Sequence, residues 1–176
     1  MNRRKPEEVT DPAELRSMVL RKCGELLKSQ DYTEQRLRMK LRTAGFPEET
    51  IDAAIEAMKE AHYIDDERYA ENYVKYHIKD RSRRRIEQDL QERGVAEEII
   101  QAAFQNMTAA TGEMQIEING ILPMDTAEIE QIQVLLRKKQ YDPETAGWEE
   151  KQKIMAFLYR KGYSQENIRC AMQAMR

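Results

Sequence analysis

A chain of 176 residues with 35% charged side chains, seven glycines, five prolines and five valines has a helix-forming composition and little material for strands. No apolar stretch approaches the ~18 residues of a membrane helix, no apolar run follows the basic start as in a signal peptide, and the two cysteines, Cys23 and Cys170, have no metal-type spacing and argue against a disulfide framework; a cytoplasmic protein without a membrane partner is expected. The net charge of −3 conceals alternating blocks, +4 over residues 1–43, −7 over 44–72, +3 over 73–94, −7 over 95–134 and +4 over 135–176, so an acidic total is compatible with basic surface patches.

Residues 1–11 read as a disordered tail. A first helix is expected from about Pro12 to Lys28, with Leu15, Val19, Cys23, Leu26 and Leu27 apolar. Beyond it a unit repeats at offsets of 49 and then 68 residues. Leu37, Ile86 and Ile154 coincide, as do Leu41, Leu90 and Leu158, then Gly45, Gly94 and Gly162, then Phe46, Val95 and Tyr163. Ile51, Ile100 and Ile168 follow, with Ala54, Ala103 and Ala171, with Ile55, Phe104 and Met172, and with Met58, Met107 and Met175. The unit reads as helix, tight turn, helix. The apolar pair four apart marks one helix face, the glycine four residues later fits a left-handed helix end, and Pro47, Ala96 and Ser164 open the next helix.

A further helix precedes each pair, from about Asp66 to Lys79 in the second copy and from about Thr126 to Lys139 in the third. The expected architecture is all-α: three tandem three-helix repeats, 12–61, 62–107 and 126–176, stacked into an elongated curved array. Residues 108–125 interrupt the pattern. Asn119-Gly120 fits a hairpin turn, although a plain linker is the simpler reading.

Catalytic constellations are missing from the sequence. His62 and His77 have no nucleophile or ligand context, and glycine-rich phosphate loops, HExxH and CxxC are absent. No enzyme, cofactor or small-molecule substrate is expected. Asp65-Asp66-Glu67 suits a helix N-terminus better than a metal cage. Tyr69, Tyr73 and Tyr76 form a helical stripe that reads as packing, with base stacking the alternative.

Basic residues gather in or just before the middle helix of each copy. The candidates are Arg38, Lys40 and Arg42 in the first, Lys79, Arg81, Arg83, Arg84, Arg85 and Arg93 in the second, and Lys153, Arg160 and Lys161 in the third. Arg83-Arg84-Arg85 stand at a helix start, where positive charge is disfavoured, which points to an external anionic partner.

Ile64-Asp65-Asp66-Glu67-Arg68-Tyr69-Ala70, followed by Arg85-Ile86, Leu90 and Gly94-Val95, resembles the signature of the RecX family, bacterial regulators of the RecA recombinase. Tyr32-Thr33-Glu34 with Leu37-Arg38, Leu41 and Gly45-Phe46 resembles that family's first repeat, and Arg160-Lys161-Gly162-Tyr163-Ser164 with Ile168 its last. The family's glycine ahead of the second-repeat arginine–isoleucine is absent here, where the stretch is Ser82-Arg83-Arg84-Arg85. The resemblance implies a monomeric protein without catalytic residues. It would bind the groove of the RecA–single-stranded DNA filament, block its extension or promote its disassembly, and so restrain recombination, DNA repair and the SOS response. A stand-alone helical DNA-binding protein is the competing reading, since helix–turn–helix pairs with basic helices also read DNA.

Overall fold

The computed structural model describes residues 5–110 and 123–175, with side chains at 5–107 and 126–175. Among them the regular elements are a short 3-10 turn, Pro6–Glu8, and nine α-helices. They are α1 (Pro12–Leu27), α2 (Glu34–Thr43), α3 (Glu48–Glu60), α4 (Asp66–His77), α5 (Arg83–Gln91), α6 (Glu97–Ala110), α7 (Pro123–Lys138), α8 (Trp148–Arg160) and α9 (Gln165–Gln173). The order is the all-helical threefold repeat that the spacing predicts. The ends of the expected insert are helical, in α6 and α7, and the Asn119-Gly120 hairpin lies outside the described residues.

Polar caps set the helix starts. Asp11 accepts from Ala13 N at 3.2 Å, Thr33 from Arg36 N at 3.3 Å, Asp65 from Arg68 N at 2.9 Å, Ser82 from Arg85 N at 3.3 Å and Ser164 from Asn167 N at 3.1 Å. Asp65 thus caps α4. Pro47 sits one place before α3 without a side-chain cap.

Gly45, Gly94 and Gly162 take φ of 87°, 80° and 92°, the left-handed conformation the spacing predicts. Phe46 N then donates to Leu41 O and Tyr163 N to Leu158 O, both at 3.3 Å. These bonds close the helix end and lay the aromatic ring over the leucine one turn back.

The chain divides into two compact units, Met1–Ala70 with Gln91–Ile100 and Glu71–Leu90 with Gln101–Arg176. In the first unit α1 and α2 pack on α3 around Val19, Cys23, Leu37, Leu41, Ile51, Ile55 and Ile64. In the second, α7 and α8 pack on α9 around Ile132, Leu136, Ile154, Leu158, Tyr163 and Ile168. Burial pushes the Cys23 thiol up from its ordinary value.

Two expectations are corrected. The segment read as a tail carries the Pro6–Glu8 turn and buries Val9, because an apolar side chain gains more from burial than from solvation; the Glu7 side chain lies against the Gly45 turn. The tyrosine stripe of α4 is not a core stripe. Tyr76 is 80% exposed, and the helix buries Ala70 and Val74 instead.

Candidate functional site

The starts of α2 and α5 are held by the same joint, made twice. Thr33 Oγ1 donates to Arg93 O, just before the Gly94 turn, and Ser82 Oγ donates to Lys161 O at 3.0 Å, just before the Gly162 turn. Thr33 and Ser82 are equivalent in the repeat, as are Arg93 and Lys161, and both hydroxyls are fully buried. Each uses its one proton on the next repeat's turn and its lone pair on its own helix start. The first amide of each helix is satisfied the same way. Glu34 N donates to Asp66 Oδ1 at 2.9 Å, and Arg83 N donates to Glu128 Oε1 at 2.5 Å. A carboxylate from the following repeat thus meets the positive end of α2 and of α5. The other oxygen of Glu128 accepts from Asn167 Nδ2 at 2.9 Å, and both residues are buried.

This arrangement revises the reading of Arg83-Arg84-Arg85. Much of the compensation for their unfavourable position is internal. Glu128 supplies a negative charge at the helix start. Arg83 is half-buried; its Nε donates to Glu87 at 2.7 Å, its Nη2 to Gln101 at 2.6 Å, and its guanidinium lies 4.7 Å from the Phe104 ring centroid. It clamps α5 to α6. Arg85 pairs with Asp89 at 3.2 Å, and Arg81 with the same nearly buried carboxylate at 2.5 Å, which also accepts from Tyr73 OH. Arg84 alone of the three is exposed with no ion-pair or hydrogen-bond partner among the described residues.

The other candidates divide similarly. Arg38 bridges Glu34 and Asp52, and Arg42 pairs with Glu48, whose carboxyl it holds below the usual range. Arg93 is half-buried and gives its carbonyl to the first joint. Lys40, Lys79, Lys153 and Arg160 are exposed without a partner among the described residues, and exposed Lys161 has its ammonium 5.5 Å from the Phe157 centroid. Cations able to meet an outside anion therefore remain on or beside the middle helix of every repeat. Among the described residues no cluster of histidine, cysteine, aspartate or glutamate could hold a metal, and no helix is long and apolar enough to cross a membrane.

Comparison with known proteins gives this pattern its family. Three models match in order: the first three-helix domain of RecX over residues 20–57, the second over 65–103 and the third over 126–172. The chain belongs to the RecX family. It is 34% identical over 132 residues to "Regulatory protein RecX" of Clostridium perfringens, a match covering 75% of this chain and 56% of that relative. It is 30% identical over 148 residues to "Regulatory protein RecX" of Trichlorobacter lovleyi, covering 82% of this chain and 86% of that one. The Clostridium relative is thus matched over little more than half its length. The crystal structure of RecX from Lactobacillus salivarius aligns with a TM-score of 0.73 and 21% identity, over 93% of this chain and 97% of that one. That likeness concerns the fold.

In this RecX-family chain the second joint also contains Tyr163. Its hydroxyl donates to Gln131 Oε1 at 3.1 Å, and Gln131 Nε2 donates to Ile78 O. Burial first, then the nearby Glu128 and Asp80 charges, push the Tyr163 phenol up to about 12. In the unfolded chain it ionises near pH 10. The folded protein therefore holds this proton longer, and the associated stability, about 3 kcal/mol, is complete below pH 10 and lost as pH rises through 12. Chemical denaturation between pH 9 and 12 is expected to show this alkaline loss in the wild type. Tyr163→Phe should flatten that limb, and an unchanged limb would place the tyrosine outside the network.

Proposed function

We propose that this chain is a negative regulator of the RecA recombinase, and that it binds the RecA–single-stranded DNA filament, blocks its extension or promotes its disassembly, and thereby modulates recombination, DNA repair and the SOS response. The observation that carries the reading is the ordered match of three RecX repeat models along one chain. The cations without a partner among the described residues support it, because each repeat offers at least one to an elongated anionic partner: Lys40, then Lys79 and Arg84, then Lys153 and Arg160. The protein works by binding, as a cytoplasmic monomer without a cofactor.

RecA-driven strand exchange tests the reading. Wild-type protein should inhibit it, and Lys79→Glu with Arg84→Glu should relieve the inhibition without altering the circular dichroism. For every single-strand phosphate that the variant no longer neutralises, the log–log salt slope should fall by about 0.7. Arg83→Glu is the poorer probe, because it also breaks the clamp on Glu87 and Gln101. Full inhibition by the double variant would remove the second repeat from the binding surface. A wild type that binds DNA but leaves strand exchange untouched would be a stand-alone DNA-binding protein instead.

A further inference from the structure

Helix α8 carries a feature that the basic-residue pattern does not include. Trp148, the only tryptophan of the chain, is 75% exposed, and Tyr159 is 58% exposed. They are eleven residues apart. At ~100° and ~1.5 Å per residue they share one helix face to within about 20° and stand roughly 16 Å apart along the axis. Exposed Gln152 and Ala156 lie between them, and the buried side of the helix is made by Ile154 and Leu158. Exposed Lys153 and Arg160 lie about 100–140° around the helix from the rings, both on the same side, where long cationic side chains can reach back toward a strand laid on them, and neither has an ion-pair partner among the described residues. The acids Glu149 and Glu150 are confined to the first turn, where the helix dipole favours them.

We infer that the Trp148–Tyr159 face of α8 is a stacking platform for single-stranded nucleic acid, with Lys153 and Arg160 on its phosphates. Two exposed rings roughly 16 Å apart along the axis, with exposed Gln152 between them, make a poor core for a protein interface, whose centre is contiguous and depleted of charge. Flat rings with adjacent cations are what unpaired bases and their backbone require, and every base offers a π-face. A duplex hides those faces. The inference deepens the filament reading, and rests on it only for the biological source of the strand.

The test titrates the full-length chain with oligodeoxythymidylate while recording its single-tryptophan fluorescence. Saturable quenching is expected, weakening as salt rises. A duplex of equal length should quench far less. In anisotropy titrations with a labelled strand, Trp148→Ala and Tyr159→Ala should each weaken binding about tenfold, within the range known for base stacking, and Trp148→Phe should restore most of the loss. Both side chains are exposed, so these changes leave the core untouched. The inference is overturned if the labelled strand binds without quenching, if duplex quenches equally, or if RecA free of DNA produces the quenching and oligodeoxythymidylate does not. Strand-exchange assays on the same wild-type protein separate the two readings. Inhibition without strand quenching would overturn the platform and keep the regulator, and quenching without inhibition would do the reverse.

Discussion

Gly162→Ala is expected to destabilise the protein by about 2–4 kcal/mol, whereas Gly45→Ala should cost only about 1 kcal/mol. Both glycines have positive φ, 92° and 87°, so both replacements incur the strain of a left-handed alanine, of the order of 1 kcal/mol. Their surroundings differ. A Cβ on Gly162 would stand 2.6 Å from Ser82 Oγ, a buried atom already committed to Lys161 O and Arg85 N. A Cβ on Gly45 would meet Glu7 Oε1 at 2.8 Å, the far end of an exposed side chain that can swing away. The extra penalty at Gly162 is the hydrogen bonding given up when Ser82 is displaced, about 1–3 kcal/mol. Urea denaturation of both variants measures the difference. Ser82→Ala makes the test internal. Without the hydroxyl the clash disappears, so the double variant with Gly162→Ala should be more stable than the sum of the single effects predicts, by about 1 kcal/mol. Additive effects, or equal losses at Gly45 and Gly162, would mean that the joint contributes no coupling.

The helix pairs and their glycine turns were legible because apolar periodicity and left-handed glycine are local properties. Two helix ends were not. α3 and α7 close through His62 and Gln140, both at φ 56°, with Tyr63 N donating to Met58 O and Tyr141 N to Leu136 O. The geometry matches the glycine-closed ends, but neither residue type announces it. The first helices do not align at the offsets of 49 and 68 residues, because the loops that follow them differ in length. Burial restores their register: Val19 with Cys23, Ala70 with Val74, and Ile132 with Leu136 occupy the same two positions.

The candidate site was legible as a set of charges and illegible as a set of contacts. The pairing of Arg83 with Glu87 could be read from their separation of four residues. Its contacts with Gln101 and Phe104, and the Glu128 carboxylate at its backbone amide, are tertiary. A run of three arginines at a helix start therefore pointed outward on sequence grounds, while the fold spends two of them on its own carboxylates. Thr33 and Ser82 are residue types that cap helices; that each also grips a neighbouring turn is not written in the sequence, because the acceptors are backbone carbonyls.

Glu128→Ala should have a comparable or larger effect than Gly162→Ala, about 2–5 kcal/mol. The carboxylate is buried and engages two donors, Arg83 N with one oxygen and Asn167 Nδ2 with the other. Truncation leaves both without that acceptor, at about 1–3 kcal/mol each, and removes the negative charge facing the α5 start. Against a typical total of about 5–15 kcal/mol that is a large fraction. Glu128→Gln separates hydrogen bonding from charge. The amide oxygen can serve Arg83 N, and Asn167 can turn its own oxygen toward the new amide nitrogen. Glutamine should therefore recover most of the loss and leave a deficit of about 1 kcal/mol for the missing charge. A double-mutant cycle with Asn167→Ala should give a coupling of about 1–2 kcal/mol. Glu128→Ala should also shorten hydrogen-exchange protection of the Arg83 amide, because that proton has exchanged a carboxylate for solvent. A Glu128→Ala protein as stable as wild type, with that amide still protected, would show that Glu128 contributes nothing to the second joint.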